Sequence, residues 1–283
     1  MIVVRGGVPA LDASQLPEVE RKAYRQKMAS PYVYSYPSLE ALRFELAARG
    51  AIVQSAKALL QSGVKFTLLE KSYANPAYWV VSRRGELRLR DGVPPSVGLR
   101  DIYANGRMYG FECATAMVAV MYKGLLDVMG EERFNRLFAG MVLYDWRYDP
   151  DLYLNTIADG EEVFPGDIQY FVNPDVSPQE EEWQGENVVV LGDGLYYGHG
   201  IGIETASGII HDLNGHRVPG SRTPAYLKDQ VTHPDFVRVY RLATGYRIAA
   251  DALWRRYGGA SYTARIGAAT YIGSARARQG IRV

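Results

Sequence analysis

The run Gly185-Glu-Asn-Val-Val-Val-Leu-Gly-Asp-Gly-Leu-Tyr-Tyr-Gly-His-Gly-Ile-Gly-Ile203 constrains the fold of this 283-residue chain more than any other stretch. Two segments rich in β-branched and aromatic residues flank Asp193-Gly194, a dipeptide that favours a two-residue type I′ turn because both central positions take positive φ. An antiparallel hairpin is expected here, and with it an antiparallel sheet. If Asp193 and Gly194 alone make the turn, His199 lies opposite Val188 and Glu186 opposite Ile201. Side chains alternate along a strand, so this register puts Glu186 and His199 on one face, roughly 7 Å apart at their Cβ atoms. A carboxylate and an imidazole sharing one face of otherwise apolar strands mark a site of chemistry. Gly198, Gly200 and Gly202 around the histidine suggest the close approach of another backbone or of a substrate.

The chain has one cysteine, Cys113, within Tyr109-Gly-Phe-Glu-Cys-Ala-Thr-Ala-Met-Val-Ala-Val-Met-Tyr122. A glycine-containing entry followed by small and then apolar residues at helical spacing puts this thiol at the start of a helix, expected over 112–129. It has no intrachain disulfide partner. At the first turn, unpaired backbone N–H groups and the helix dipole favour its thiolate form. Glu112, its neighbour, opposes that form if ionised and close, so its side chain must point away or be protonated.

Elsewhere, Pro9, Pro17, Pro31 and Pro37 punctuate residues 1–37, which read as an irregular segment wrapping the surface. Leu39, Leu42, Leu46, Val53, Ala56 and Leu60 mark a helix over 38–61, broken or bent near Gly50 and stopped by Gly63. A hairpin over 78–90, a short helix over 96–103 and an amphipathic piece over 131–138 follow, and the remainder reads as mostly strand. One catalytic domain over 1–248 is expected. Beyond it, residues 251–283 carry six arginines and one aspartate. Ala250, Leu253, Trp254 and Tyr257 suggest one short docked helix, and the basic tail after Tyr257 is expected to be mobile.

Composition removes several classes of function. The 32 Lys+Arg are balanced by 31 Asp+Glu, so no charge field invites nucleic acid. No apolar run approaches the ~20 residues needed to span a bilayer, and the N-terminus lacks the pattern of a signal peptide, so synthesis inside a cell with no membrane partner is expected. His211, Asp212 and His216 have neither the spacing nor the thiolates of a metal site. Gly192-Asp-Gly194 opens no helix and is not a phosphate loop.

A cysteine on a helix start, followed by a strand-borne carboxylate and imidazole, is the element order of papain-like cysteine enzymes, and Pro165–Phe171 with Gly198–Ile203 resembles strand motifs of NlpC/P60 hydrolases. Tyr78-Trp79, Pro94-Pro95-Ser96, Arg100-Asp-Ile, Ala104-Asn-Gly106, Phe111-Glu-Cys-Ala-Thr-Ala116, Leu143-Tyr-Asp-Trp146, Trp183-Gln-Gly-Glu-Asn-Val188 and His199-Gly200 recur in the order and spacing of one family. On these motifs the chain resembles the spore-coat protein-glutamine γ-glutamyltransferases of Bacillus-type bacteria, the small calcium-independent transglutaminases. The resemblance implies a single α+β domain of papain-like, NlpC/P60-related type with a central antiparallel sheet. It also implies ε-(γ-glutamyl)lysine crosslinking through a cysteine thioester with release of ammonia.

On the same resemblance the nucleophile falls on Cys113, the principal acid/base on Glu186, the active-site histidine on His199 and an auxiliary carboxylate on Glu112. Trp146 and Trp183 are candidates for lining the path to the thiol. Neither a cofactor nor a metal is implied. The implied partners are Gln- and Lys-bearing coat proteins, the implied place is the spore coat or mother cell, and the implied state is a monomer. The alternatives are a cell-wall amidase or peptidase of the same catalytic class, and a coat protein without activity.

Overall fold

A computed structural model describes residues 1–4, 7–158, 162–245, 262–266 and 269–273. In chain order the strands are β1 (Ile2–Val4), β2 (Val33–Tyr36), β3 (Lys65–Phe66), β4 (Trp79–Val81), β5 (Leu87–Leu89), β6 (Gly110–Phe111), β7 (Val142–Leu143), β8 (Leu154–Ile157), β9 (Ile168–Val172), β10 (Gly185–Gly192), β11 (Leu195–Gly198), β12 (Gly202–Thr205), β13 (Tyr226–Leu227), β14 (Val231–Pro234), β15 (Tyr262–Ile266) and β16 (Ala269–Gly273). The helices are α1 (Glu18–Ala29), α2 (Leu39–Ser62), α3 (Pro95–Ala104), α4 (Cys113–Met129), α5 (Glu131–Leu137), α6 (Ala206–Gly215) and α7 (Phe236–Thr244).

The main sheet is antiparallel throughout, in the order β12-β11-β10-β9-β14-β8, with β13 also paired to β9. β10 lies within it and is buried on both faces: Val189 and Leu191 join the core of α2 and α4, while Val188 packs with Phe171, Ile209 and Leu213 beneath α6. Helix α4 is buried along most of its length, and Lys123 and Asp127 pair on the stripe that reaches solvent. Helix α2 packs along it for most of its length. It starts at Ser38, whose hydroxyl accepts from the Ala41 N–H, ends at Gly63 with φ 85°, and runs unbroken through Gly50. The α+β class and the papain-like arrangement of helix and antiparallel sheet agree with the sequence reading.

Three expectations are corrected or refined. Residues 1–37 are not irregular throughout: Pro17 precedes the first residue of α1 and Pro31 follows its end, so the prolines read as breaks bound a helix. The second half is predominantly strand but also holds two helices, α6 and α7, each beginning at a side-chain cap, Thr205 accepting from Gly208 N–H and Asp235 from Arg238 N–H. Within the segment expected as a mobile tail, β15 and β16 form a hairpin whose β15 pairs in parallel with β2. Their Tyr, Thr and Ile content favours strand despite the glycines around them. The helix expected at 250–257 lies outside the described residues.

The hairpin over Asp193-Gly194 has φ 54° and 74° at its two turn residues, as a type I′ turn requires. Its register is not the expected one. Gly192 pairs with Leu195, but Val190 pairs with Tyr196, so Leu191 is an extra residue on β10, a bulge made possible by Gly192 at φ 96°. Val188 therefore faces Gly198 instead of His199. A one-residue slip exchanges faces: Glu186 stays in the row of Val188, while His199 continues the row of Tyr197, on the opposite face.

Candidate active site

Glu112 caps α4, its carboxylate accepting from the N–H groups of Ala114 at 2.5 Å and Thr115 at 2.6 Å. Of the two alternatives for this side chain, the structure shows it folded back onto its own helix. Cys113 is the first helical residue and is half-buried. Two first-turn amides that would have favoured a thiolate are thus already occupied. Burial, together with the negative charges of Glu186 and Glu112, pushes the thiol well above its ordinary range, so the resting sulfur keeps its proton at neutral pH. The influence of the helix start, which favours the thiolate, is outweighed here. The opposing influence comes from Asn187, whose backbone N–H favours the anion and whose side-chain amide donates to Sγ at 3.3 Å.

Glu186, 1% exposed, lies over the β11 strand end. Its Oε1 accepts from the Gly200 N–H at 3.3 Å, and a Cβ on Gly198 would stand 2.8 Å from the same oxygen, so a larger residue there would displace the Glu186 side chain. Oε2 is buried and has no hydrogen-bond partner among the described residues. Burial pushes the Glu186 carboxyl up to about 8; the N–H groups of Gly200 and His199 pull the other way, and the Glu112 charge pushes it up further. Glu186 therefore meets the backbone beside His199, not its ring.

His199, 9% exposed, is buried among Phe66, Phe111 and Tyr197. Its ring stacks on Phe111 at 5.3 Å between centroids and meets Phe66 edge-on at 6.2 Å. Nδ1 lies 3.1 Å from the Tyr197 hydroxyl and Nε2 3.3 Å from the Lys65 carbonyl oxygen. A neutral ring that donates from Nε2 and accepts at Nδ1 satisfies both contacts. Burial lowers this histidine to about 4, which keeps it neutral near pH 7.

A cleft of about 590 Å³ opens onto Cys113, lined among others by Phe66, Glu112, Trp146, Tyr170 and Asn187. Trp146 is one of these lining residues. It follows Asp145, whose φ is 50° and whose N–H donates to Thr115 Oγ1 at 2.8 Å, tying the tryptophan's loop to the first turn of α4. Trp183 stands behind the cleft wall: its neighbours Glu182 and Gln184 line the cleft, while its indole packs on Phe66 at 5.4 Å and lies flat on His216 at 4.3 Å. Sequence reasoning missed Asn187 and Thr115. A polar amide between Glu186 and three valines was the available signal for Asn187; Thr115 gave none. Among the described residues no group of three or more His, Cys, Asp or Glu could hold a metal, and no helix is long and apolar enough to cross a membrane.

A family model described as protein-glutamine gamma-glutamyltransferase matches residues 1–243. Curated proteins of that name from Bacillus cereus strains B4264 and G9842 are 46% and 47% identical over 203 residues, and one from Bacillus anthracis strain A0248 is 46% identical. Each alignment covers 72% of this chain and 73% of the relative. A solved transglutaminase from Geobacillus stearothermophilus, without its C-terminal extension, is similar with a TM-score of 0.69 and 44% identity, covering 75% of this chain and 100% of that one.

Proposed function

This chain belongs to the protein-glutamine gamma-glutamyltransferase family and is a transglutaminase, and from that membership we propose that Cys113 is its nucleophile and Glu186 its proton carrier in joining a glutamine side chain to a lysine amine. The observation that carries the assignment of roles is the buried Oε2 of Glu186, free of any hydrogen-bond partner among the described residues, on a carboxyl raised to about 8. A general acid–base group works best when its pKa lies near the operating pH.

The sulfur is protonated at rest, so attack needs a base. Glu186, ionised, takes the Cys113 proton as Sγ bonds to the γ-carboxamide carbon, and negative charge passes to the carbonyl oxygen. The tetrahedral adduct collapses, the C–N bond breaks, and Glu186 returns its proton to the departing nitrogen as ammonia leaves. The product is a thioester. A neutral lysine amine then attacks the same carbon, Glu186 accepts the amine proton, and the C–S bond breaks with the proton going back to sulfur. Cleft-lining apolar groups such as Phe66 and Trp146 favour the amine over water at the thioester by limiting solvent access.

The remaining residues support these steps. Glu112 fixes the start of α4 and holds Cys113 in place. His199 is a neutral, buried residue with both nitrogens engaged, and its ring positions Phe111 and Tyr197 rather than moving protons. By family resemblance, the crosslinked proteins are those of the spore coat and the enzyme acts as a monomer. A mass near 31.5 kDa on size exclusion and a coat fraction that loses its isopeptide crosslinks in the Cys113→Ala strain are the expected outcomes.

Ammonia release with and without a primary amine tests the reaction. Wild type should release ammonia and attach a fluorescent amine to a glutamine-bearing protein. Cys113→Ala should do neither, and Glu186→Ala should lose far more rate than His199→Ala. Failure of amine incorporation while Cys113 still alkylates would sink the reading, and release of new amine termini without ammonia would point instead to an amidase or peptidase.

A further inference from the structure

We propose that Asn187 is a catalytic residue that stabilises the anionic Cys113 sulfur as its proton leaves. The proposal rests on Cys113 being the nucleophile, and its observation is geometric. Asn187 is 8% exposed on β10, lines the cleft, and donates its side-chain amide to Sγ at 3.3 Å. Its backbone is held in register by pairing with Tyr170 of β9, so the amide is aimed from a rigid strand and not from a loop. The adjoining residue in sequence, Glu186, has its side chain on the other face of the strand, and its charge still acts on Cys113.

The need for such a donor follows from the surroundings of the sulfur. The Ala114 and Thr115 amides are bonded to Glu112, and two carboxyl groups oppose a negative charge at Cys113. A neutral amide is the group that favours a thiolate here without placing a cation next to Glu186, which would lower that carboxyl out of its working range. Hydrogen bonds to an ionised acceptor are roughly twice as strong as those between neutral groups, so Asn187 acts differentially: weakly on the thiol, strongly on the thiolate. In the transfer, the S–H bond breaks and the proton goes to Glu186 Oε2; Asn187 keeps its own protons throughout.

The test is the rate of Cys113 alkylation by iodoacetamide as a function of pH, which reads sulfur ionisation without any acyl transfer. Asn187→Ala should shift the profile to higher pH by about one unit and so slow alkylation about tenfold on its rising limb, with an unchanged melting temperature. Asn187→Asp, of nearly equal size, should slow it further by adding a carboxylate. In ammonia release, kcat should fall about 10- to 100-fold in Asn187→Ala with KM for the glutamine donor unchanged. A wild-type alkylation profile in both variants overturns the assignment. If instead Cys113→Ala still releases ammonia, the nucleophile reading itself has failed; the two failures are therefore distinct.

Discussion

Glu45 and Glu186 are both buried carboxylates, 5% and 1% exposed, yet their environments drive them in opposite directions. Glu45, on α2, accepts from the Tyr36 hydroxyl at 2.8 Å and lies 2.9 Å from both Lys27 Nζ and Arg49 Nε. Arg49 reaches on to Asp167 at 2.7 Å, and Asp167 in turn accepts from the Phe164 N–H. Burial alone would raise Glu45, but the charges of Lys27 and Arg49 outweigh it and hold the carboxyl well below the usual range. Glu186 is buried as deeply, the charge acting on it is that of Glu112, and it rises to about 8. The matched cluster joins α1, β2, α2 and the turn before β9; the unmatched carboxyl is left with a proton it can exchange. Charge balance separates a carboxylate held ionised within the fold from one whose proton exchanges near neutral pH.

The largest effect expected from this difference is on rate. Glu186→Gln keeps the size and removes the exchangeable proton, and should lower kcat/KM for ammonia release by about 10²- to 10⁴-fold. The converse experiment breaks the matched cluster. Arg49→Met leaves Glu45 and Asp167 with one cation fewer and should cost about 3–5 kcal/mol in urea denaturation, while the surviving folded protein keeps the wild-type alkylation profile of Cys113.

A smaller effect sharpens the comparison from the stability side. Because the folded state holds the Glu186 proton up to about 8 and the unfolded state releases it near the ordinary 4.5, the folded protein binds more protons between these values. Its contribution to stability therefore falls as pH rises from 4.5 through 8. Glu186→Gln should melt higher than wild type by a few degrees at pH 8, with the gain vanishing near pH 4.5. The smallest effect belongs to His199. Its ring is neutral and its nitrogens are committed to Tyr197 and Lys65, so His199→Gln should reduce kcat less than Glu186→Gln, by about tenfold or less, and leave the pH dependence in place.

Much of this was legible in the sequence, and the exceptions have physical causes. The helix that carries Cys113 was readable because a glycine-containing entry leads into small and apolar residues at helical spacing. The type I′ turn was readable because Asp-Gly tolerates two positive φ values. Register was not, because Gly192 could equally have continued the strand or formed the bulge that it does form; the choice lies in the packing of β10 against helices on both faces. The same error placed Glu186 beside the imidazole and hid Asn187, which occupies the face turned to Cys113. The occupation of the first-turn amides was not legible, because the sequence shows a helix start but not that the Glu112 carboxylate folds back onto it. Helix α1 was concealed by the prolines that bound it, and the Glu45–Arg49–Asp167 cluster by the long separation of its members in the chain.

The pH dependence of kcat/KM for ammonia release from a glutamine-bearing protein, measured for wild type and Glu186→Gln, tests the central claim most directly. Wild type should show a limb that rises through about pH 8, where Glu186 loses its proton, and Glu186→Gln should lack it. A limb that persists unchanged in Glu186→Gln, or that vanishes in His199→Gln instead, would contradict it.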